Sequence, residues 1–98
     1  MTANTLEFLN TLETIIVDRI ENPSCESYTA SLAAMGSKRI AQKVGEEAVE
    51  LALASVAGDR CETVNEAADL LFHLLVLLRS QGIRLSDVVG VLEARHPG

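Results

Sequence analysis

Apolar residues recur along this chain at helical spacing and nowhere in sustained alternation. Leu6, Leu9, Leu12, Ile16 and Ile20 lie three or four positions apart, with Glu7, Glu13 and Asp18 between them. That stripe predicts an amphipathic helix over about residues 5–21. The run "ENPSCES" ends it, because Pro23 disfavours helical backbone at Asn22 and the small polar residues favour a turn. Ser27, or the residues just before it, can cap a short second helix over "YTASLAAM", with Gly36 as its end. A segment rich in Ala, Leu, Glu, Lys and Gln predicts a third helix from Ser37 to about Val56. Gly45 within it costs about 1 kcal/mol relative to alanine. "AGDR" marks a turn. Asp59 is a good N-cap, and Glu62 three residues later gives a capping-box pattern. The fourth helix then runs to about Ser80, with Gly82 beyond it. Ser86 or Asp87 opens a short fifth helix through about Glu93. The expectation is an all-α fold, a single domain over residues 1–98 built as a bundle of about five helices.

The fourth helix departs from the amphipathic pattern. Leu70, Leu71, Phe72, Leu74, Leu75, Val76, Leu77 and Leu78 cover nearly its whole circumference. A helix apolar all round is buried all round, and four other short helices are too few to enclose it. The expected remedy is a homodimer or larger assembly that covers the remaining face.

Composition narrows the function. A chain of 98 residues suits one domain. Its formal charge is −6 and its pI about 4.7. Duplex nucleic acid calls for a basic stripe, and none is visible. Two Phe, one Tyr and no Trp leave few platforms for stacking single strands. Cys25 and Cys61 have no metal-site spacing and do not make a disulfide scaffold. The opening "MTANTLEFL" lacks a cationic segment followed by an apolar run. The apolar stretch Leu70–Leu78 is broken by His73 and too short to span a bilayer. A cytoplasmic protein with no nucleic-acid or membrane partner is therefore expected.

Against that background the carboxylates stand out. "KVGEEAVELALA" places Glu46, Glu47 and Glu50 in an apolar segment, and "NEAADLLFHLLVLL" does the same with Glu66 and Asp69. Glu47 and Glu50 are three apart, as are Glu66 and Asp69, so each pair projects from one helix face. A single "EExxE" is ordinarily a solvated face. Two such groups on successive helices, each flanked by apolar residues, suit a cleft. Antiparallel packing of those helices would let the groups face each other. Like charges in a partly buried cleft need a compensating cation, and Lys43 alone cannot neutralise five carboxylates. Carboxylate oxygens suit Mg²⁺, whereas zinc would ask for His or Cys. Lys38, Arg39 and Lys43 open the third helix, where cations and a helix N-terminus can meet a phosphate. "MGSKR" lacks the glycine spacing of a phosphate loop. His73, four residues after Asp69, reads as a hydrogen-bonded core histidine, with a base or ligand as the alternative.

The string "ENP…SYT…RIAQKVGEEAVE…GD…NEAADLLFHLLVLL" resembles the phosphoribosyl-ATP pyrophosphatase family, within the all-α nucleoside triphosphate pyrophosphohydrolases that include MazG-like proteins. The acidic pattern fits that whole superfamily, while "SYT" with "QKVGEEAVE" is more specific. The resemblance implies a homodimeric helical bundle. It also implies Mg²⁺ held by Glu47, Glu50, Glu66 and Asp69, with Glu46 nearby. The activity it implies is hydrolysis of 1-(5-phosphoribosyl)-ATP to 1-(5-phosphoribosyl)-AMP and pyrophosphate, the second step of histidine biosynthesis. Ser27, Tyr28 and Thr29 are then expected close to substrate, and Lys38, Arg39 and Lys43 near its phosphates. Glu46 or Glu47 would orient or deprotonate the attacking water. Two alternatives keep the same helices: a house-cleaning nucleotide hydrolase of the MazG type, and a non-enzymatic dimerising module with an acidic face.

Overall fold

A 3₁₀ turn, Thr5–Glu7, leads directly into α1, Phe8–Glu21. α2 spans Tyr28–Ala34, α3 Ser37–Ala57, α4 Arg60–Ser80 and α5 Leu85–Arg95. The computed structural model describes residues 5–98, and all regular structure among them is helical. The expected domain span also includes residues 1–4, which lie outside the described residues.

The helix ends follow from local chemistry in three of four cases. Ser27 begins α2 with extended backbone, and its Oγ accepts the Ala30 N–H at 3.1 Å. Gly58 closes α3 at φ +77°, in the left-handed region, where glycine alone escapes a steric cost. Asp59 then turns the chain into α4, its Oδ1 accepting the Glu62 N–H at 3.0 Å. The other half of the expected capping box is not made. The Asp59 N–H already donates to Ala54 O at 3.4 Å, so the Glu62 carboxylate finds no donor there.

The fourth case is α5, which starts at Leu85 and runs to Arg95, longer than the sequence suggests. Neither Ser86 nor Asp87 is its N-cap. Arg84 holds that place, its N–H donating to Asp87 Oδ2 at 3.0 Å. The Leu85 N–H donates to Glu13 Oε2 of α1 at 2.7 Å, across 72 residues of sequence. A carboxylate delivered from another helix does what a local Ser or Asp would otherwise do.

Ile16 of α1, Leu32 of α2, Ile40 of α3 and Leu75 and Val76 of α4 form the buried centre. Leu12, Ile20, Phe72, Leu77 and Leu85 pack against it. α3 and α4 share the most extensive interface in the fold, and their two-residue link sets them antiparallel. One chain does not cover α4: His73, Leu75 and Val76 are buried, but Leu71 is 42% exposed. On α3, Val49, Leu53 and Val56 are exposed as well, and their i, i+4, i+7 spacing makes one apolar stripe. Among the described residues no helix is long and apolar enough to cross a membrane.

Candidate metal centre

The antiparallel hairpin of α3 and α4 brings three carboxylates together. One oxygen from each of Glu47, Glu66 and Asp69 lies within 4.8 Å of the others. Glu66 and Asp69 share a face of α4 because they are three residues apart, and Glu47 meets them from α3. Glu47 is only 7% exposed, and its Oε2 is buried with no hydrogen-bond partner. An ionised carboxylate in that position carries a large desolvation cost unless a cation meets it. Among the described residues no ion pair reaches Glu47, Glu50, Glu66 or Asp69.

Electrostatics reports the same crowding. The Glu66 carboxyl is pushed above its ordinary range, first by desolvation and then by the charges of Glu50, Glu47, Asp69 and Glu62. Glu50 is thus felt at the centre, although its oxygens are not among the three that converge. The donor set is all hard anionic oxygen, which suits Mg²⁺, Ca²⁺ or Mn²⁺ and not a thiolate- or imidazole-seeking metal. The orphaned Glu47 oxygen and the uncompensated charge fit a bound divalent cation.

Glu46 stands apart from the other acids. It is 43% exposed at its side chain, and its oxygens lie 3.6 Å from Lys43 Nζ and 3.8 Å from an Arg39 guanidinium nitrogen. Gln42 Nε2 also donates to its Oε2 at 3.1 Å. Successive helix positions differ by about 100° in direction, so adjacent Glu46 and Glu47 face different surroundings. Arg39 and Lys43 therefore converge on Glu46, while Lys38 is exposed with no ion pair among the described residues.

The "SYT" stretch is tied to the centre through His73. That imidazole is 6% exposed and bonded at both nitrogens: Nδ1 lies 2.7 Å from the Asp69 carbonyl oxygen and Nε2 lies 2.9 Å from Tyr28 Oη. The rings of Tyr28, Phe72 and His73 pack on one another, Phe72 edge-on to His73 at 5.2 Å. Tyr28 is itself 53% exposed. Ser27 is occupied in capping α2, and Thr29 is buried. The sequence expectation of a hydrogen-bonded buried histidine agrees with this arrangement. The Tyr28–His73 bond bridges 45 residues, and no local spacing announces it. The i, i+4 step from Asp69 to His73 is the part of it visible in sequence. Cys25 and Cys61 are both free and exposed.

The family model "Phosphoribosyl-ATP pyrophosphohydrolase" matches residues 9–96. A protein of Photobacterium profundum named "Histidine biosynthesis bifunctional protein HisIE" is 55% identical over 91 residues, which are 93% of this chain and 44% of that one. Proteins of the same name in Vibrio cholerae and Escherichia coli are 54% and 53% identical, over 91% and 97% of this chain and 42% and 47% of their own lengths. The chain spans about half the length of the curated relatives it matches.

Proposed function

The chain belongs to the phosphoribosyl-ATP pyrophosphohydrolase family, and we propose that it hydrolyses 1-(5-phosphoribosyl)-ATP to 1-(5-phosphoribosyl)-AMP and pyrophosphate in histidine biosynthesis. The observation that carries the chemistry is the convergence of Glu47, Glu66 and Asp69, together with a Glu47 carboxylate oxygen that is buried and has no hydrogen-bond partner. In this reading those three residues, joined by Glu50, hold Mg²⁺. Bound there, Mg²⁺ offsets the charge of the triphosphate and of the departing pyrophosphate.

The protein's own groups do the rest. Lys38, Arg39 and Lys43 meet phosphate oxygens with charge-assisted hydrogen bonds. Glu46, bonded by Gln42 and flanked by Arg39 and Lys43, holds that row in order. Glu47 is then the better of the two glutamates for orienting the attacking water, because Glu46 is already engaged. A carboxylate needs little change in basicity to accept a proton from an activated water. Nothing in the site asks for a covalent intermediate: Cys25 and Cys61 lie outside it, and Ser27 is spent on a helix cap. Water attacks the α-phosphorus and pyrophosphate leaves. Hydrolysis in ¹⁸O-labelled water should place the label in 1-(5-phosphoribosyl)-AMP. Label confined to pyrophosphate would refute attack at that phosphorus. A panel of ordinary nucleoside triphosphates should be turned over far more slowly, and equal turnover would favour the house-cleaning reading.

A homodimer belongs to the same proposal. The exposed stripe of Val49, Leu53 and Val56, with Val64 and Leu71 of α4, gives it an apolar surface to bury. A cytoplasmic location is part of it too, in keeping with the two free thiols, which a reducing compartment preserves.

A further inference from the structure

α5 is fastened to its own chain only at its beginning. The Leu85 N–H donates to Glu13, and the Leu85 side chain packs against the core cluster. None of the 11 residues of the helix is buried, and it touches the other helices only marginally. A helix shorter than about 12–15 residues is marginal in water, and packing of an apolar face is what ordinarily sustains it. Such a face is present. Leu85, Val88, Val89 and Leu92 stand at i, i+3, i+4 and i+7, on one side of the helix. Leu85 and Val88 are half-buried, whereas Val89 and Leu92 are exposed. The stripe thus begins on this chain's core and runs off it.

We infer that the bare half of this stripe, Val89 and Leu92, packs on a second copy of the chain, so that α5 is an arm of the dimer interface. Area points to that occupant. The five exposed side chains of the hairpin, Val49, Leu53, Val56, Val64 and Leu71, are already partly covered. Covering an aliphatic side chain fully removes roughly 60–120 Å² from water, so these five offer at most about 400 Å². A standard interface buries about 800 Å² on each partner, and at about 65% apolar a homodimer needs roughly 500 Å² of apolar surface. Val89 and Leu92, each about half exposed, add roughly the missing 100 Å². Continuity points the same way. Val64, Leu71 and Leu75 share one face of α4. The first two are exposed, and Leu75 belongs to the cluster on which Leu85 packs. The uncovered side of the hairpin therefore leads to the foot of α5. In a two-fold dimer each copy covers the other's arm. This inference rests on the homodimer reading and adds an element to it.

Two measurements on the full chain test it. Carbon-13-labelled and unlabelled copies, unfolded and refolded together, give mixed dimers for isotope-filtered NMR. The methyl groups of Val89 and Leu92 should show nuclear Overhauser contacts to the unlabelled copy. A dimer without such contacts would overturn the inference with no variant made. Sedimentation over a range of concentrations should then compare the parent with Leu92→Glu. This side chain is exposed in the single chain, so the subunit accepts the charge, and circular dichroism should show its helix content kept. The dimer carries the substitution twice, and its dissociation constant should rise by at least about tenfold. An unchanged constant would overturn the inference and leave the homodimer standing. A parent that does not dimerise would overturn the homodimer reading, and this one with it.

Discussion

Glu47 is 7% exposed, and one of its carboxylate oxygens has no hydrogen-bond partner. A residue in that state is a liability to the metal-free chain and an asset to the metal-bound one. Glu47→Gln should therefore melt at the same temperature as the parent or higher without metal, because one of three crowded charges is gone. It should lose the rise in melting temperature that Mg²⁺ gives the parent, about 2.7 kcal/mol of stabilisation at roughly a hundred times Kd. A variant that melts lower and keeps the Mg²⁺ shift would contradict this. Glu66 makes a second prediction. Its folded pKa lies above the ordinary value of 4.5, chiefly through desolvation and then the charges of Glu50, Glu47, Asp69 and Glu62. Between the unfolded and the folded pKa, the folded metal-free state thus keeps a proton that the unfolded chain has released. Stability is lost as pH rises from about 4.5 through the folded pKa, and regained on acidification. Denaturation of the parent and Glu66→Gln across that window should give diverging profiles, the parent falling relative to the variant as pH rises. Parallel profiles would refute the crowding. Spacing in the sequence is enough to nominate Glu47, Glu66 and Asp69, since i, i+3 pairs share a face. It does not separate Glu46 from Glu47, because that depends on how α3 is rotated against α4.

Caps supplied by neighbours in sequence are legible in it, and those supplied by neighbours in space are not. Ser27 and Asp59 act where their side chains predict. The capping box at Asp59 stays half-made because the Schellman-like closure at Gly58 has already used the Asp59 N–H. Sequence alone misplaces the start of α5 because the Leu85 N–H is met by Glu13 of α1. Glu13→Ala should cost about 0.5–2 kcal/mol. The loss should appear first as faster amide exchange in the opening turn of α5, before the α3–α4 hairpin is affected. Glu13→Gln, which keeps an acceptor oxygen, should recover part of it. Uniform loss of protection along the whole chain would place Glu13 in general stability and not in a cap.

The whole molecule turns on one hairpin that is acidic along one part of its surface and apolar along another. The all-α class, the helix count and the pairing of α3 with α4 follow from periodicity and a two-residue turn. The partner that would cover Val49, Leu53, Val56, Val64 and Leu71 is implied only by what the single chain leaves bare. Sedimentation should accordingly give twice the 10.5 kDa chain mass, and Leu53→Asp should shift it toward one chain. A parent that sediments as a monomer at working concentration would refute the dimer. The central claim is that Glu47, Glu66 and Asp69 form the metal site of a phosphoribosyl-ATP hydrolase. Its most direct test is pyrophosphate release from 1-(5-phosphoribosyl)-ATP by the parent and by Asp69→Asn, with and without Mg²⁺, each first shown by circular dichroism to be folded. The account predicts Mg²⁺-dependent release by the parent and a fall of at least about 100-fold in the variant. Release that ignores Mg²⁺, or survives undiminished in folded Asp69→Asn, would contradict it.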